Sequence, residues 1–333
     1  MELVVQPLAR TFVVQGGANL LETLRANNVP ISYSCMAGRC GTCRCKVIEG
    51  DVLESGREAK LTNLNDGRYV LACMSVLTEG CTIEVPEQDE VVTHPARIVK
   101  AVVVAIDDMT HDIKRVRLQP AKPLEFSAGQ YAMLQFTPEH IRPYSMAGLA
   151  DDKTLEFHVR LVPDGRVTTY ISEQLKVGDA VRVSGPLGTA YLRKKHAGPM
   201  LCIAGGTGLA PVMAIIRGAL SAGMKNPIHV YFGVRSSRDI YALDQLDALS
   251  RGNSNLHVHV VVALGNTDDV IPDRTLRSGL LTDAVAQDWK NLDGWRAYLC
   301  GAPPMVEAAA LLVHQKGVLL DHIYADAFYA SSN

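Results

Sequence analysis

Apolar and polar positions alternate along residues 3–6 and again along residues 11–15, the two-residue period of half-buried strands. The break around Pro7 to Arg10 joins them as a hairpin. Over residues 19–27 the period lengthens to that of a short amphipathic helix, and strands are predicted around residues 45–49 and 82–86. The opening is therefore a small β-rich domain with one helix. Residues 87–95 are polar, charged and proline-ended, which marks a boundary. From about residue 98 to 193, short apolar runs alternate with turns at Ser127-Ala128-Gly129, at Asp164-Gly165 and over residues 184–188; many strands with little helix predict an antiparallel barrel. After residues 196–199 the pattern becomes strand (200–204), helix (209–222), strand (228–234), helix (239–249), strand (256–263), with a further strand at 296–300. This alternation predicts an α/β parallel sheet covered on both faces. The expectation is three domains, at residues 1–90, 95–193 and 197–333, with no internal repeat.

Composition narrows the class. The 333 residues are 47% hydrophobic and 20% charged with a net charge of -2, and no basic tract asks for nucleic acid. The first 90 residues hold 12 acidic and 8 basic side chains, net -4, leaving 23 and 25, or +2, for the rest. The uncharged run at residues 197–216 holds Gly205, Gly206, Gly208 and Pro211 in its middle, which suits a strand, a glycine turn and a helix rather than a membrane span. The start has neither the basic nor the apolar region of a signal peptide, so a cytoplasmic protein without membrane attachment is expected.

In that compartment eight cysteines argue for metal rather than disulfides. Cys35, Cys40 and Cys43 are separated by four and two residues, and Cys73 follows after twenty-nine more, the spacing of a plant-type [2Fe-2S] centre. Gly38 and Gly41 let the intervening backbone turn its amides toward sulfur. Four thiolates also suit zinc, whose usual pattern pairs two short C-x-x-C hooks; here there is one hook and one wide gap. Cys45 can project toward the same centre, though it and Cys81 read better as small core hydrophobes.

Three further elements carry candidate chemistry. Arg142-Pro143-Tyr144-Ser145 combines a forked cation for a pyrophosphate, an aromatic face for an isoalloxazine and a hydroxyl for its reactive edge; it also fits a strand whose side chains face solvent. Gly165-Arg166-Val167-Thr168 sets glycine and hydroxyls at a helix start, either an anion site or an ordinary N-cap. Gly205-Gly206-Thr207-Gly208, between a strand and a helix with Pro211 in its first turn, can meet a pyrophosphate or serve as a packing turn. Arg235 and Arg238 follow the next strand where no acid is placed for a ribose hydroxyl, so NADPH is possible beside NADH. Cys300 and Gly301 end a strand at the sheet's carboxyl edge, either beside a ligand or as a glycine-proline turn with a buried cysteine.

In this order, and with residues 32–45, 142–148, 184–193 and 322–329, the chain resembles the ferredoxin reductase components of Rieske aromatic-ring dioxygenases, the naphthalene type in particular. The resemblance implies a ferredoxin-like β-grasp domain, a flavin barrel and a nicotinamide domain. It implies FAD, a [2Fe-2S] cluster and NADH or NADPH as cofactors. Cys35, Cys40, Cys43 and Cys73 would ligate the metal. Arg142, Tyr144, Ser145, His158, Arg160, Gly165, Val167, Thr168 and Phe328 would hold the flavin. Gly205, Gly206, Thr207, Gly208, Arg235, Arg238, Cys300 and Gly301 would hold the nucleotide, and Tyr144, Ser145 and Cys300 would flank the reacting rings. Asp164 departs from the pattern, standing where many relatives have a second glycine. The implied partners are a Rieske-type ferredoxin and, through it, a terminal oxygenase, served by a monomer. A reductase for a diiron monooxygenase or a small-molecule dehydratase, and a non-enzymatic iron-sulfur sensor, are the competing readings.

Overall fold

The computed structural model describes residues 1–31, 33, 38, 43–54, 68–85, 90, 92, 94–264 and 276–329. They fall into two compact units, Met1–Val91 and Val92–Asn333. In the first, β1 (Glu2–Gln6) and β2 (Arg10–Val13) form the expected hairpin. Next comes α1 (Leu20–Ala26), capped by Asn19, whose side chain accepts the Glu22 N–H. The strands β3 (Arg44–Glu49), β4 (Val52–Glu54), β5 (Arg68–Leu71), β6 (Ser75–Leu77) and β7 (Cys81–Glu84) complete the unit. Its main sheet runs β2-β1-β7-β3-β5, with β1 and β7 parallel and β4 paired to β6 alone. Leu20, Leu21 and Leu24 lie on one face of α1 and are fully buried against Leu3, Val5, Leu77 and Ile83. Cys45 and Cys81 belong to this core, and burial first, then the neighbouring Cys43, pushes the Cys45 thiol far up.

The second unit opens with β8 (Arg97–Asp108), β9 (Ile113–Pro120), β10 (Tyr131–Gln135), β11 (Ile141–Ser145) and β12 (Leu155–Arg160). Then come α2 (Arg166–Glu173) and β13 (Ala180–Leu187). The six strands pair antiparallel in the order β11-β10-β13-β8-β9-β12, and a bridge between Met146 and Phe157 closes the sheet as a barrel. Alternate residues of β12 split: Leu155, Phe157 and Val159 fill the barrel, leaving Glu156, His158 and Arg160 to face outward. The turn expected at residues 184–188 is instead the end of β13. Pro186 has no N–H for the ladder, and the register beside β10 slips between Tyr131 and Met133 to accommodate it.

The remainder is β14 (Met200–Gly205), α3 (Leu209–Ser221), β15 (Ile228–Val234), α4 (Leu243–Gly252), β16 (Leu256–Val262), β17 (Arg277–Ser278), α5 (Leu281–Asp288), β18 (Arg296–Gly301), α6 (Pro303–Gln315) and β19 (Ile323–Ala327). All six strands are parallel, in the order β17-β16-β15-β14-β18-β19, so the strand order reverses between β14 and β18. Ala128, Ala190 and Leu192 from the barrel side pack into the same core as α3 and β14, which is why barrel and parallel sheet form one unit. The helix expected from residue 239 begins at Leu243, because the Asp239 carboxylate is taken up by the N–H and hydroxyl of Ser236 and Ala242 is left-handed. No helix among the described residues is long and apolar enough to cross a membrane.

At the amino ends of β15 and β16 lies a stack of rings. His229 and His257 stack at 4.6 Å, Tyr231 and His259 at 4.6 Å, and Trp289 meets His229 edge-on at 4.7 Å. Burial, then the charges of His257 and His259, lower the His229 pKa to about 4. The unfolded chain therefore binds more protons than the folded one between pH 4 and about 6.5, and this stack loses stability as pH falls through that window. His229→Phe is expected to gain on wild type by roughly 3 °C in Tm between pH 7 and pH 4.5. Paired thermal melts at the two pH values check it, and a constant difference would refute it.

Candidate functional site

Two of the four cysteines of the spacing pattern are brought together. Cys43 is almost fully buried at the start of β3, and its Sγ accepts the Cys73 N–H at 3.4 Å. The short 3-10 turn Ala72–Met74 carries Cys73, held by Asn19 Nδ2 donating to its carbonyl at 3.0 Å and by the Ala72 N–H donating to the Cys43 carbonyl at 2.8 Å. Amides aimed at sulfur lower the energy of the thiolate, as an iron-sulfur ligand requires. Gly38 has φ +70°, and a Cβ there would lie 2.7 Å from Met74 Cγ, so the loop closes on the turn only with glycine. Cys35 and Cys40 lie outside the described residues.

On the barrel, β11 presents Arg142, Tyr144 and Ser145. Arg142 is half-buried and, among the described residues, forms no hydrogen bond or ion pair. A free guanidinium at the edge of a barrel suits a phosphate. Tyr144 is half-buried, and burial raises its phenol well above the ordinary range, which keeps the ring neutral. Gly165 caps α2 with no side-chain hydrogen bond, leaving first-turn amides without a side-chain acceptor; a Cβ on Gly165 would meet Thr168 Oγ1 at 2.4 Å. Thr168 Oγ1 itself donates to the Gly165 carbonyl at 3.0 Å, and Val167 is buried on the inner side. The preceding Asp164 has φ +58°, so the departure noted in the sequence falls on a position that needs the left-handed conformation.

The other half of the site lies at the carboxyl ends of β14 and β18, where the strand order reverses. A Cβ on Gly208 would sit 2.0 Å from the Cys300 carbonyl oxygen, and one on Gly301, at φ +144°, would sit 2.9 Å from the Gly205 carbonyl oxygen. Backbone meets backbone there, and α3 starts without a side-chain cap, which fits a pyrophosphate. Gly206 and Thr207 form the turn between them, and the Phe328 N–H donates to the Gly301 carbonyl at 2.8 Å. Arg235 and Arg238 are exposed just past β15, and their guanidinium groups make no hydrogen bond or ion pair among the described residues.

His158 and Arg160 occupy the seam between barrel and cleft. His158 is buried, with Nε2 3.1 Å from Glu156 Oε1 and Nδ1 3.2 Å from the Tyr241 hydroxyl, which in turn donates to the Gly206 carbonyl at 3.5 Å. Both ring nitrogens of His158 are thus engaged by protein. Burial would raise the Glu156 carboxyl, but the His158 hydrogen bond and the His158, Arg115 and Arg117 charges hold it below the usual range. Arg160 pairs with Asp112 at 2.9 Å and approaches within 3.3 Å of where a Gly206 side chain would begin.

One residue escaped the sequence reading. Ser145 Oγ donates to Asp326 Oδ2 at 2.8 Å, joining β11 to β19 across 181 residues of chain. Asp326 lies opposite Cys300 in the β18–β19 register. Burial pushes its carboxyl up to about 6, with the Ser145 hydrogen bond opposing. Cys300 is fully buried in the core at the carboxyl end of β18, and burial, Asp326 and Cys202 keep its thiol protonated rather than nucleophilic. The sequence signal for Asp326 was its place in the distinctive ending at residues 322–329; its partner could not be read from spacing.

Comparison with known proteins finds three domain models along the chain. A 2Fe-2S iron-sulfur cluster binding domain matches residues 3–78, an oxidoreductase FAD-binding domain residues 100–191 and an oxidoreductase NAD-binding domain residues 202–310. The ferredoxin–NAD(P)(+) reductase component of the naphthalene 1,2-dioxygenase/salicylate 5-hydroxylase systems of Ralstonia sp. is 60% identical over 99% of both chains. That of the naphthalene 1,2-dioxygenase system of Pseudomonas putida is 58% identical over 99% of both. Among solved structures, a cytochrome P450 reductase from Amycolatopsis is 34% identical, covers 98% of both chains and superposes with a TM-score of 0.71.

The Ser145–Asp326 contact makes a direct prediction. Titration of the Asp326 carboxyl, followed by NMR, is expected to have its midpoint near 6, and Ser145→Ala is expected to move it upward by removing the donor that steadies the carboxylate. A midpoint near 4 in the wild type, or a downward move in the variant, contradicts it.

Proposed function

We propose, for a chain that belongs to the family of ferredoxin–NAD(P)(+) reductase components with iron-sulfur, FAD-binding and NAD-binding domains, that its electrons pass to a Rieske-type ferredoxin. That ferredoxin would feed an aromatic-ring dioxygenase of the naphthalene type. The observation that carries this reading is 60% and 58% identity, over nearly the whole of both chains, to reductase components named for such systems. Residues 1–90 are assigned to the cluster, 95–193 to FAD and 197–333 to the nucleotide, supported by a division of the contacts at residue 91 and by the three family matches. The proposal includes a cytoplasmic monomer.

Bound FAD exchanges electrons both in pairs and singly, which is the conversion between a nicotinamide and an iron-sulfur centre. The chain supplies the rest. Cys35, Cys40, Cys43 and Cys73 hold the cluster, with the Cys73 amide steadying Cys43. Arg142 and the start of α2 at Gly165–Thr168 take the flavin phosphates. Tyr144 offers its neutral ring to the isoalloxazine, and Ser145 with Asp326 holds a proton beside the reacting edge. The backbone of Gly205–Gly208 and Gly301 admits the dinucleotide pyrophosphate, and Cys300 closes the floor beside the nicotinamide. His158 acts through Tyr241 on the Gly206 carbonyl, so its contribution to cofactor binding is to place the turn. Phe328 borders the cleft through its amide on Gly301.

Arg235 and Arg238, two exposed cations past β15 whose side chains have no partner among the described residues, favour acceptance of a 2′-phosphate, so both NADH and NADPH should serve. Replacing both by Ala is expected to raise the KM for NADPH about tenfold, roughly 1.4 kcal/mol, with the KM for NADH within twofold. Steady-state cytochrome c reduction with each nucleotide measures this, and equal changes in the two KM values would refute it. The acceptor is tested by reconstituting the protein with a Rieske ferredoxin, with a diiron hydroxylase and with a dehydratase. Rapid NAD(P)H-dependent reduction of the ferredoxin is expected, and reduction of either other acceptor with none of the ferredoxin overturns the proposal. A protein with cluster absorption but no flavin bands would instead support the iron-sulfur sensor reading.

A further inference from the structure

A buried cation sits where barrel and parallel sheet meet, and no carboxylate among the described residues pairs with it. Arg193 is only 5% exposed. Its guanidinium carbon lies 3.7 Å above the Tyr191 ring on one side and 4.2 Å above the Tyr324 ring on the other. Nη1 donates to the Tyr191 carbonyl at 2.5 Å and Nη2 to the Thr189 carbonyl at 3.1 Å, while the Arg193 backbone N–H donates to the Tyr298 hydroxyl at 3.0 Å. Tyr298 and Tyr324 are themselves 5.0 Å apart. One arginine thus gathers the segment leaving β13 and the middles of β18 and β19 into a single contact.

Burying a cation without a counter-ion is unfavourable unless ring faces and carbonyl oxygens replace its water, and here two of each do so. The position explains what the arrangement achieves. On a strand, residues two apart share a face and are about 6.6 Å apart, so Tyr324 stands one step before Asp326, and Tyr298 one step before Cys300. Asp326 is the group that reaches across to Ser145 on β11. Apart from Tyr324, the groups gripping the guanidinium belong to the barrel side, so the clamp ties β19 to the barrel beside the point where the two sets of reacting residues meet.

We infer that Arg193 is a positioning residue for reduction of the flavin. Clamped between Tyr191 and Tyr324, it sets the depth at which β19 presents Asp326 to Ser145, and with it the spacing between the two ring sites. This rests on the reading of Ser145 and Asp326 as the reacting edge. Lysine keeps the charge but has neither the plane that stacks between two rings nor the fork that reaches two carbonyls. A displacement near 1 Å is enough to slow a transfer of this kind severely.

The test uses the holoenzyme with Arg193→Lys, Tyr324→Leu, Tyr324→Phe, Ser145→Ala and Asp326→Asn. Stopped-flow reduction by NADH gives the limiting rate and the NADH Kd separately, and hydrogen exchange reports on β19. Arg193→Lys and Tyr324→Leu are expected to lower the limiting rate about tenfold with Kd within twofold, to speed exchange at residues 323–328 while leaving β1 to β7 unchanged, and to move the Asp326 titration. Tyr324→Phe, which keeps the ring, should behave as wild type. A folded Arg193→Lys protein with wild-type rate and exchange overturns the inference; if that variant does not fold, a wild-type rate in Tyr324→Leu does so. Slowing by Ser145→Ala and Asp326→Asn in that event leaves the underlying reading intact, whereas wild-type rates in those two defeat the reading itself.

Discussion

At the ends of β14 and β18 backbone lies against backbone, and the glycine turn between β14 and α3 depends on it. With a Gly208 Cβ at 2.0 Å from the Cys300 oxygen and a Gly301 Cβ at 2.9 Å from the Gly205 oxygen, any side chain at either position pushes the two strand ends apart. Parallel strands place every carboxyl end on one edge, and the reversal of strand order between β14 and β18 opens a crevice there. Glycine keeps the crevice floor at backbone level, so that amides rather than side chains line it. The same floor fixes where Cys300 ends and hence where its register partner, Asp326, stands.

The barrel is held to that crevice by polar groups as well as by apolar packing. Outward residues of β12 meet the glycine turn through Glu156, His158 and Tyr241, and the exit of β13 meets β18 and β19 through Arg193. Hydrogen bonds and ring-cation contacts are directional, whereas apolar packing tolerates sliding. Two ring sites that must face each other at a fixed spacing need the first kind. The apolar part of the seam, Ala128, Ala190 and Leu192 against α3, supplies adhesion; the polar part supplies register.

Much of this was legible in the chain. Alternation along β1 and the long apolar strands β14 to β16 specify their elements directly, because period and burial coincide. Glycine spacing located both phosphate-like turns for the same reason, since a required φ or close approach leaves glycine as its mark. Two elements were misplaced where a side chain overrode the local pattern: Ser236 and Asp239 cap each other and delay α4, and a register slip absorbs Pro186 within β13. Asp326 and Arg193 were not legible as partners of Ser145 and Tyr324. Their partners lie 181 and 131 residues away in sequence, and only the folded sheet order brings them together.

The distribution of unpartnered cations separates stability from function. Arg217 pairs with Asp152, Arg277 with Asp288 and Arg160 with Asp112, and Arg193 replaces a carboxylate with rings and carbonyls. Among the described residues, Arg142, Arg235 and Arg238 have no such side-chain partner, although Arg142 is half-buried. A fold selected for stability alone would pair a half-buried guanidinium or remove it, because partial desolvation without a counter-charge works against folding. Leaving it free beside a barrel strand that also carries Tyr144 and Ser145 makes sense when the missing charge arrives with a ligand, and phosphate supplies both the charge and the forked geometry. By contrast Tyr144, Cys300 and Asp326, whose carboxyl is pushed up to about 6, are driven toward their neutral forms by burial, which suits an uncharged ring rather than a phosphate.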